Sequence, residues 1–406
     1  MENKQSSKYN ANYQRDKVSI SEEFTQDLQN SIYEIVKKED YITYDIDSRK
    51  ISTGGNNFLG ELYEINITGK SSVGPKHTSL FLKHIIYNDD FKVYSIPEVY
   101  NKEAFVYNTL SKIYDELQDK AGIPSEERFR MVKSYKETND KAIILDNLNI
   151  KGFKTMPRFD VMSIEFAELS IKQLAKFHSL SFVLQSKNPE YFESKIKTVK
   201  QSFVYDDYWN ELAKKMCDMS SSRMDEATKK KIDKLYLISL DKYPKYMNGL
   251  NSSIKCLVHG DYKMNNVLLK ESDGRVTEVI PIDFQQIYYG CPIIDLIYFL
   301  YAASDRNFRK QHLYYLRDIY FESLTSFLDY FDVDPGFSRE AFEKCFEDSL
   351  DYALMYTLYM LPWFFIAENV PDLAKDELLD TSLQVDERFY GRMQEIVDEF
   401  IELGIL

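Results

Sequence analysis

A chain of 406 residues with 44% hydrophobic and 29% charged side chains is long enough for two lobes with sizeable cores and too apolar to be disordered over most of its length. Its 65 acidic and 51 basic side chains leave a net charge of −14, which repels phosphate backbones and argues against a nucleic-acid partner. No run of about 18 apolar residues occurs, and residues 1–17 lack the apolar stretch of a secretory signal, so we expect a cytoplasmic protein with no membrane segment.

The first part of the chain is predicted to be rich in strands. Residues 1–18 are expected to form a flexible tail, and a helix is expected to begin near Ser19, with Glu22 completing a capping box. Hydrophobic periodicity and turn residues predict the elements that follow. In chain order these are a turn-rich loop at 51–60, a strand at 61–68, a turn at 69–77, a strand at 79–86, a helix at 96–114, a strand at 141–145 and a polar hinge at 146–152.

Helices dominate the predicted elements after Gly152. They are expected at 163–185, 205–217, 227–240, 295–303, 311–330, 339–359 and 387–403. Residues 254–283 form a small strand region, in which Asp273-Gly274 predicts a tight hairpin. A strand-rich part followed by a helix-rich part predicts an α+β fold of two lobes, which we place at 19–146 and 147–406.

The four cysteines favour a reducing compartment. Cys217, Cys256, Cys291 and Cys345 form no Cys-x-x-Cys pair, and no histidine stands at the spacing of a zinc finger. Neither a disulfide framework nor a zinc site is therefore predicted.

The most informative segment is residues 258–283, which combines a strand, a polar loop and the predicted hairpin. Asp261 and Asn266 lie in the loop, and Asp283 ends the second arm of the hairpin, which returns it beside Asn266. Phosphoryl transfer requires an acceptor hydroxyl aimed in line at the γ-phosphorus, and metal ions that neutralise the phosphate oxygens. We therefore predict that Asp261 faces the acceptor hydroxyl, while Asn266 and Asp283 supply hard oxygen ligands for Mg²⁺.

Chance is the alternative explanation for this motif. If each residue type occurs at roughly one position in twenty, His, Gly, Asp and Asn at four fixed positions arise in about one of 10⁵ windows. Ordinary loop acids beside a tight turn are therefore the weaker interpretation.

The same residues resemble the ecdysteroid kinase-like family, within the choline-kinase and aminoglycoside-phosphotransferase clan. The resemblance rests on His259-Gly-Asp261-x-x-x-Asn-Asn266, on Asp283-Phe-Gln and on Gly290-Cys-Pro-Ile-Ile-Asp295, and it extends from about residue 25 to beyond 400. It implies a two-lobed protein-kinase-like fold, ATP and Mg²⁺ as cofactors, and Asp261 as the catalytic base. It also implies that His259 supports the catalytic loop and that Asp295 braces it.

The first lobe contains weaker motifs that resemble the same family. Gly55, Asn57 and Phe58 match its phosphate-covering loop, Lys83 its phosphate-pairing lysine and Glu103 the helical partner of that lysine. Each motif alone is equally well explained by a turn or by the solvent-exposed face of a strand or helix. The three are stronger evidence when they occur together and in the order found in the family.

The resemblance also implies an adenine site at the hinge, on backbone groups near Asp146 and Leu148. The family more often has Glu-Asp where this chain has Asp146-Asn147, so only the backbone contact is carried over.

Several other features have structural explanations. Gly69-Lys70-Ser71 imitates the end of a P-loop, but Glu64 stands where its first glycine belongs, so we interpret it as a hairpin turn. His178 is predicted to be a packed structural histidine. A set of aromatic residues is predicted to be mainly helix-packing core, with a minority lining an acceptor pocket. It comprises Tyr298, Phe299, Tyr301, Tyr356, Tyr359, Trp363, Phe364 and Phe365.

The family resemblance implies transfer of the γ-phosphoryl group of ATP to a small-molecule hydroxyl, on an ecdysteroid or another hydroxylated steroid or xenobiotic. A choline-like or other small alcohol remains an alternative acceptor, and a pseudokinase that binds ligand without turnover remains an alternative function. A protein kinase is disfavoured because Asp283-Phe-Gln stands where Asp-Phe-Gly is required. Nothing in the sequence indicates an obligate protein partner.

Overall fold

A computed structural model describes residues 14–19, 24–51, 60–86, 91–368 and 377–406. Its N-terminal part is a twisted sheet with strand order β1-β2-β3-β4-β5. The strands are Gln14–Ser19 (β1), Tyr41–Lys50 (β2), Gly60–Ser71 (β3), Gly74–Ile85 (β4) and Ala142–Asp146 (β5). The pair β1–β2 is parallel and the other pairs are antiparallel. Gly55, Asn57 and Phe58 lie outside the described residues.

Helix α1 (Gln26–Lys38) covers one face of this sheet. Its buried side chains Leu28, Ile32 and Ile35 share a small core with alternate residues of the central strands, among them Ile65. Strand side chains alternate between the two faces, so the residues between these core positions face the helical part of the molecule.

The predicted start of α1 near Ser19 was wrong. Ser19 ends β1 and pairs with Asp47, whereas Thr25 is the N-cap and its hydroxyl accepts a hydrogen bond from the Leu28 N–H at 3.3 Å. Backbone pairing with β2 therefore decides the conformation at Ser19, and Thr25, another residue type competent to cap, starts the helix. Glu22, the predicted second member of the capping box, lies outside the described residues.

The predicted turn at 69–77 is shorter in the structure, because β3 continues to Ser71 and β4 begins at Gly74. Gly69 lies within β3, where an added Cβ would come within 2.0 Å of the Thr43 carbonyl oxygen. The lack of a side chain at Gly69 allows β2 and β3 to approach closely. A P-loop is excluded because strand β4 follows, where a P-loop would continue into a helix.

A long helix with a π-helical turn in its middle links the sheet to the rest of the molecule. It comprises α2 (Ile96–Phe105), the turn Val106–Leu110 and α3 (Ser111–Lys120). Its apolar side chains belong to the larger core, which is shared with the helical part.

The C-terminal part is mainly helical. Its helices are α4 (Ile164–Lys187), α5 (Pro189–Tyr191), α6 (Asp207–Ser221), α7 (Glu226–Met247), α8 (Pro292–Ala302), α9 (Arg306–Asp329), α10 (Arg339–Asp348), α11 (Leu350–Phe364) and α12 (Arg388–Glu402). A π-helical turn, Phe192–Ile196, continues α5. The single helix predicted at 339–359 is divided at Ser349, whose ψ of 2° leaves the helical range. None of the helices in the described ranges is both long and apolar enough to span a bilayer.

Short strands interrupt the helices and carry the predicted hairpin. They are β6 (Phe153–Lys154), β7 (Cys256–Val258), β8 (Val267–Ser272), β9 (Arg275–Pro281), β10 (Tyr288–Gly290), β11 (Ile366–Glu368) and β12 (Gln384–Val385). Strands β8 and β9 form the hairpin, with Asp273 and Gly274 at φ of 53° and 75°. These positive values are what a two-residue turn of this type requires, and the prediction is confirmed. The fold is α+β, with a strand-rich N-terminal lobe and a larger helical C-terminal lobe, as the sequence predicts.

Candidate active site

The loop between β7 and β8 is held by the first turn of α8. The Asp295 carboxylate accepts hydrogen bonds from the His259 N–H at 2.6 Å and the Gly260 N–H at 2.9 Å. Gly260 has a φ of +77°, and an added Cβ would come within 2.1 Å of the Gln286 carbonyl oxygen. Glycine and the Asp295 carboxylate together fix the backbone immediately before Asp261.

Two buried histidines stabilise this loop through hydrogen-bond partners on neighbouring segments. His259 Nε2 lies 3.1 Å from the Ile282 carbonyl oxygen, which ties the loop to the segment that ends in Asp283. His178 Nε2 lies 3.1 Å from Asp295 Oδ2, and its Nδ1 lies 2.7 Å from the Tyr320 hydroxyl. Burial lowers the pKa of His259, although neighbouring aspartates oppose the shift. His178 is a packed structural histidine, as the sequence predicts.

Asp261 lies near the start of this loop, and both of its carboxylate oxygens accept hydrogen bonds. Its Oδ2 accepts hydrogen bonds from Lys263 Nζ at 2.8 Å and Asn266 Nδ2 at 2.9 Å, and its Oδ1 accepts one from the Tyr298 hydroxyl. Burial raises the pKa of Asp261, and the charge of Lys263 offsets part of that effect while Asp283 adds to it. A carboxylate with a raised pKa is a better proton acceptor than an ordinary aspartate.

Lys83 of β4 connects the sheet, α2 and the segment after β9. Its Nζ donates to Glu103 Oε2 at 2.8 Å, Asp283 Oδ1 at 2.9 Å and Gln285 Oε1 at 2.9 Å. Burial lowers the pKa of Lys83, but the charges of Asp283 and Glu103 outweigh it and hold the pKa well above its ordinary value. Lys83 therefore stays charged, and it fixes the direction of the Asp283 side chain.

The two acids that share Lys83 are in different electrostatic states. Burial raises the pKa of Glu103 to about 7 although Lys83 opposes the shift. Burial by itself would raise the pKa of Asp283. The positive charges of Lys83 and Lys263 outweigh that effect and hold this pKa below its ordinary value. Of the two acids, Asp283 is therefore the one whose pKa favours the ionised form.

Asp283 adopts a left-handed backbone, with φ of 65° and ψ of 60°. This conformation is uncommon for a residue other than glycine, and such residues cluster at functional sites. Asp283 also lies at the point where two cavities meet.

The first cavity, of about 390 Å³, lies between the sheet and the segment 146–149. Its lining includes Lys83, Glu103, Asn266 and Asp283. The second cavity, of about 150 Å³, lies among the helices and is lined by Asp261, Lys263, Asp283 and many aromatic rings. The loop acid Asp261 thus lies in one cavity, the Lys83–Glu103 pair lies in the other, and Asp283 lines both.

The atoms of Asn266 and Asp283 suit a hard cation. Asn266 donates both of its hydrogen bonds through Nδ2, to the backbone oxygen and to Oδ2 of Asp261, each at 2.9 Å. Its Oδ1 therefore accepts no hydrogen bond from the residues that the structure describes. An amide oxygen and one ionised carboxylate, together with phosphate oxygens of a nucleotide, form the kind of donor set that Mg²⁺ takes in nucleotide sites.

The hinge lies along the first cavity. Asn147 is buried, its N–H donates to the Ser79 carbonyl oxygen at 3.0 Å, and its amide donates to the Ser79 hydroxyl at 3.0 Å. Its side chain is thus used to attach the hinge to β4. Leu148 begins a short 3₁₀ turn, and the first N–H groups of a helix have no partner within it. Asp146 and Leu148 both line the cavity.

The structure brings most of the predicted residues together. They form two neighbouring sets of side-chain hydrogen bonds, because Lys83 binds Glu103 and Asp283 while Asp261 binds Asn266. The Ile282 N–H, next to Asp283, donates to the Asn266 carbonyl oxygen at 2.9 Å and holds the two sets side by side. Among the predicted aromatic residues, Tyr298, Tyr356, Trp363 and Phe364 line the second cavity. The remaining four, Phe299, Tyr301, Tyr359 and Phe365, are buried in the core.

The sequence interpretation missed several residues. Lys263, which lies two residues after Asp261, was not singled out although it binds that carboxylate. Tyr298 was predicted only as one of the aromatic set, and its hydrogen bond to Asp261 was missed, although it lies one helical turn after Asp295. Tyr94, Phe203 and other rings of the second cavity are separated along the chain and had no signal at all.

A strand-rich lobe and a helical lobe with this cleft between them agree with the two-lobed protein-kinase-like fold that the sequence motifs imply. The sequence profile of the ecdysteroid kinase-like family matches residues 54–333, which is more than half of the 406 residues. The chain belongs to the ecdysteroid kinase-like family and is a small-molecule phosphotransferase that acts on a hydroxyl group.

Solved structures to which this chain is distantly similar include small-molecule kinases. A choline kinase from Streptococcus pneumoniae is 14% identical, with 92% of this chain and 99% of that chain covered and a TM-score of 0.35. An ethanolamine kinase from Plasmodium vivax is 11% identical, with 89% and 83% covered and a TM-score of 0.38. An aminoglycoside 2'-phosphotransferase in its GDP complex is 11% identical, with 94% and 100% covered and a TM-score of 0.41. No curated protein matches the sequence.

Proposed function

We propose that the protein transfers the γ-phosphoryl group of ATP, with Mg²⁺, to a hydroxyl group on a neutral and largely apolar small molecule. The observation that carries this proposal is that Asp283 lines both cavities. One cavity holds a paired lysine and the hinge, and the other holds Asp261 among aromatic rings. A phosphoryl group that leaves the first cavity therefore reaches an acceptor in the second beside Asp283.

In the first cavity, adenine would bond to the backbone at Asp146 and Leu148, and Lys83 would contact the phosphates. Asn266 Oδ1 and Asp283 would hold Mg²⁺, which neutralises the phosphate oxygens when bound. The loop containing Gly55, Asn57 and Phe58 would cover the phosphates. In this assignment residues 19–146 are the nucleotide-covering lobe and 147–406 the catalytic and acceptor lobe, although Tyr94 of the first lobe also lines the acceptor cavity.

In the second cavity, Asp261 would orient the acceptor hydroxyl and take its proton. The acceptor oxygen then forms a bond to the γ-phosphorus as the bond between that phosphorus and the bridging oxygen breaks, and ADP leaves with the electron pair. Lys83 keeps Asp283 in place through its 2.9 Å bond. Asp295 keeps the Asp261 loop in place through two backbone bonds.

The lining of the second cavity favours a neutral acceptor. Its charged side chains are Asp261, Lys263 and Asp283, and its two acids have functions in the transfer itself. Aromatic faces attract cations, but Lys263 Nζ already lies 5.2 Å from the centre of the Phe364 ring. A flat alcohol, such as an ecdysteroid, another hydroxylated steroid or a phenolic xenobiotic, suits this lining better than a choline-like cation.

The proposal is tested by ADP release from purified protein with ATP, Mg²⁺ and acceptors of four classes: ecdysteroids, other steroid alcohols, phenolic alcohols and choline. We expect turnover of at least one neutral class, and a kcat about 10³-fold lower for Asp261→Asn. Thermal stability should rise with ATP only when Mg²⁺ is present. Stabilisation without turnover of any acceptor would instead indicate a pseudokinase, and the absence of both would refute nucleotide binding.

A further inference from the structure

Lys263 is a second cation in the site, and the roles above leave it unexplained. It follows Asp261 by two residues, and its Nζ donates to Asp261 Oδ2 at 2.8 Å. Its side chain is 22% exposed to solvent, and it lines the acceptor cavity together with Asp261 and Asp283. The ring of Phe364 lies beneath its ammonium group. The lysine is therefore placed where the two reactants meet.

The two lysines of the site differ in the freedom they have to bind a ligand. Lys83 is 6% exposed and its Nζ already donates to three side-chain oxygens. Lys263 is more exposed, and within the described part of the chain its one hydrogen bond goes to Asp261. An ammonium group has three N–H donors, so Lys263 has donors left over for oxygens on the acceptor side of Asp283.

The transferred group needs a cation at this position. In phosphoryl transfer, negative charge is spread over three equatorial oxygens of the group in transit. A fixed positive charge beside the path stabilises that distribution more than it stabilises the bound nucleotide, because the group moves toward it. Lys263 is on the acceptor side, whereas Lys83 is on the nucleotide side.

We propose that Lys263 is a catalytic residue that binds the phosphoryl group in transit, an inference that rests on the proposed phosphotransferase function. As the acceptor proton passes to Asp261, the Lys263 ammonium donates a hydrogen bond to an equatorial oxygen of that group. The P–O bond to the acceptor forms while the bond to the bridging oxygen of ADP breaks. Lys263 donates this hydrogen bond and transfers no proton in the step.

The competing explanation is that Lys263 is only a counter-ion for buried Asp261. Both explanations predict that Lys263→Met changes the protein, so a simple loss of activity does not separate them. A counter-ion affects folding and the protonation of Asp261. A contact with the phosphoryl group would in addition raise the affinity for any ligand that resembles the transition state, even when no acceptor is bound.

The test uses three variants of the full chain: Lys263→Met, Lys263→Arg and the control Lys270→Met. Lys270 also has a carboxylate partner, Glu278 at 3.6 Å, and an aromatic ring, Phe153 at 5.6 Å, but it lines neither cavity. Steady-state ADP release is measured for each variant at the pH of its own maximal rate. Affinities for ADP with Mg²⁺, with and without fluoroaluminate, are measured by calorimetry, because that complex mimics the phosphoryl group in transit.

For Lys263→Met we expect kcat to fall about 100-fold, with KM for ATP and for the acceptor within about threefold. Affinity for ADP with fluoroaluminate should fall by a similar factor, and affinity for ADP alone should change less than about threefold. Lys263→Arg keeps the charge and should recover most of both losses. Lys270→Met should match wild type in all measurements.

Three results would overturn the inference. They are a kcat for Lys263→Met within about threefold of wild type, an equal loss of affinity for ADP with and without fluoroaluminate, and a Lys263→Arg variant as impaired as Lys263→Met in both assays. If wild type itself turns over no acceptor and gains no affinity from fluoroaluminate, the proposed function fails instead. Melting temperatures of all variants show whether a loss reflects unfolding.

Discussion

The two cavities that meet at Asp283 are built on different principles. The cavity proposed for the nucleotide, the nucleotide-side cavity, contains a few charged groups, in which the Lys83 ammonium donates hydrogen bonds to both Glu103 and Asp283. The cavity proposed for the acceptor, the acceptor-side cavity, is mostly a surface of aromatic and aliphatic side chains contributed by distant parts of the chain, among them Tyr94, Phe203 and Trp363. The first cavity therefore depends on specific hydrogen-bonded pairs of charged residues. The second depends on the combined shape of many apolar side chains.

This difference has a physical cause and a functional consequence. Buried charges are tolerated only when they are paired, so a change at one charged residue affects its partners. Apolar contacts are weak individually and nearly interchangeable when volume is kept. The chemistry of transfer is therefore expected to tolerate little substitution, whereas the acceptor cavity can change its ligand without loss of the fold.

The largest effect is expected at Asp261, which lines the acceptor-side cavity. Asp261→Asn removes the proton acceptor but keeps the size of the side chain, so kcat should fall about 10³-fold while nucleotide affinity is retained. Steady-state ADP release and the thermal shift produced by ATP with Mg²⁺ measure the two quantities. A variant that keeps more than about a tenth of the wild-type kcat would show that Asp261 is not the base.

Lys83→Met tests whether the nucleotide-side cavity depends on charge pairing. It leaves Glu103 buried without its partner, which should cost about 3–5 kcal/mol in the free energy of unfolding at about pH 8. Burial holds the pKa of Glu103 near 7 even with Lys83 present, above its ordinary value. The folded state thus binds this proton more tightly than the unfolded state, so the loss should be smaller at about pH 6, where Glu103 is neutral.

Urea unfolding at the two pH values measures this effect, and Glu103→Gln in the Lys83→Met background is the matched control. The double variant has no buried unpaired carboxylate at position 103, so it should recover part of the stability at the higher pH. Equal losses at both pH values, without recovery, would contradict the charge-pairing explanation.

Trp363→Leu tests the acceptor-side cavity. Loss of part of the aromatic surface should raise KM for the acceptor about tenfold, which corresponds to about 1.4 kcal/mol of apolar contact. Nucleotide affinity should be unchanged, because Trp363 does not line the other cavity. Tyr330→Leu, at an exposed position, is the control and should change neither quantity. A parallel loss of nucleotide affinity would show that the cavities are not independent.

The smallest expected effect is a shift in the pH profile. Burial raises the pKa of Asp261, and the ionised form is the active one, so kcat/KM should fall as the pH drops through that raised value. The acid limb should therefore lie above the ordinary aspartate pKa of about 3.9. A limb at or below that value would show that Asp261 is not the titrating group or is not buried in the working enzyme.

Local signals in the sequence predicted some of these features well. The Asp273-Gly274 hairpin was predictable because a two-residue turn of this type requires positive φ at both positions. The span of α4 was predictable because its apolar residues recur at helical spacing. Ser19 shows the limit: a competent helix cap is outweighed by backbone pairing to β2, which no local pattern reports.

The sequence by itself determined the order of lobes and the presence of Asp261, Asn266 and Asp283 in a strand, loop and hairpin, because these features depend on neighbours within a few residues. The tertiary structure alone decided that the Lys83 ammonium group binds Asp283 and Gln285, which lie about 200 positions further along the chain. It also decided that rings from both lobes enclose the acceptor cavity. Contacts at such separation follow from how the lobes pack, and packing depends on shape summed over the whole core.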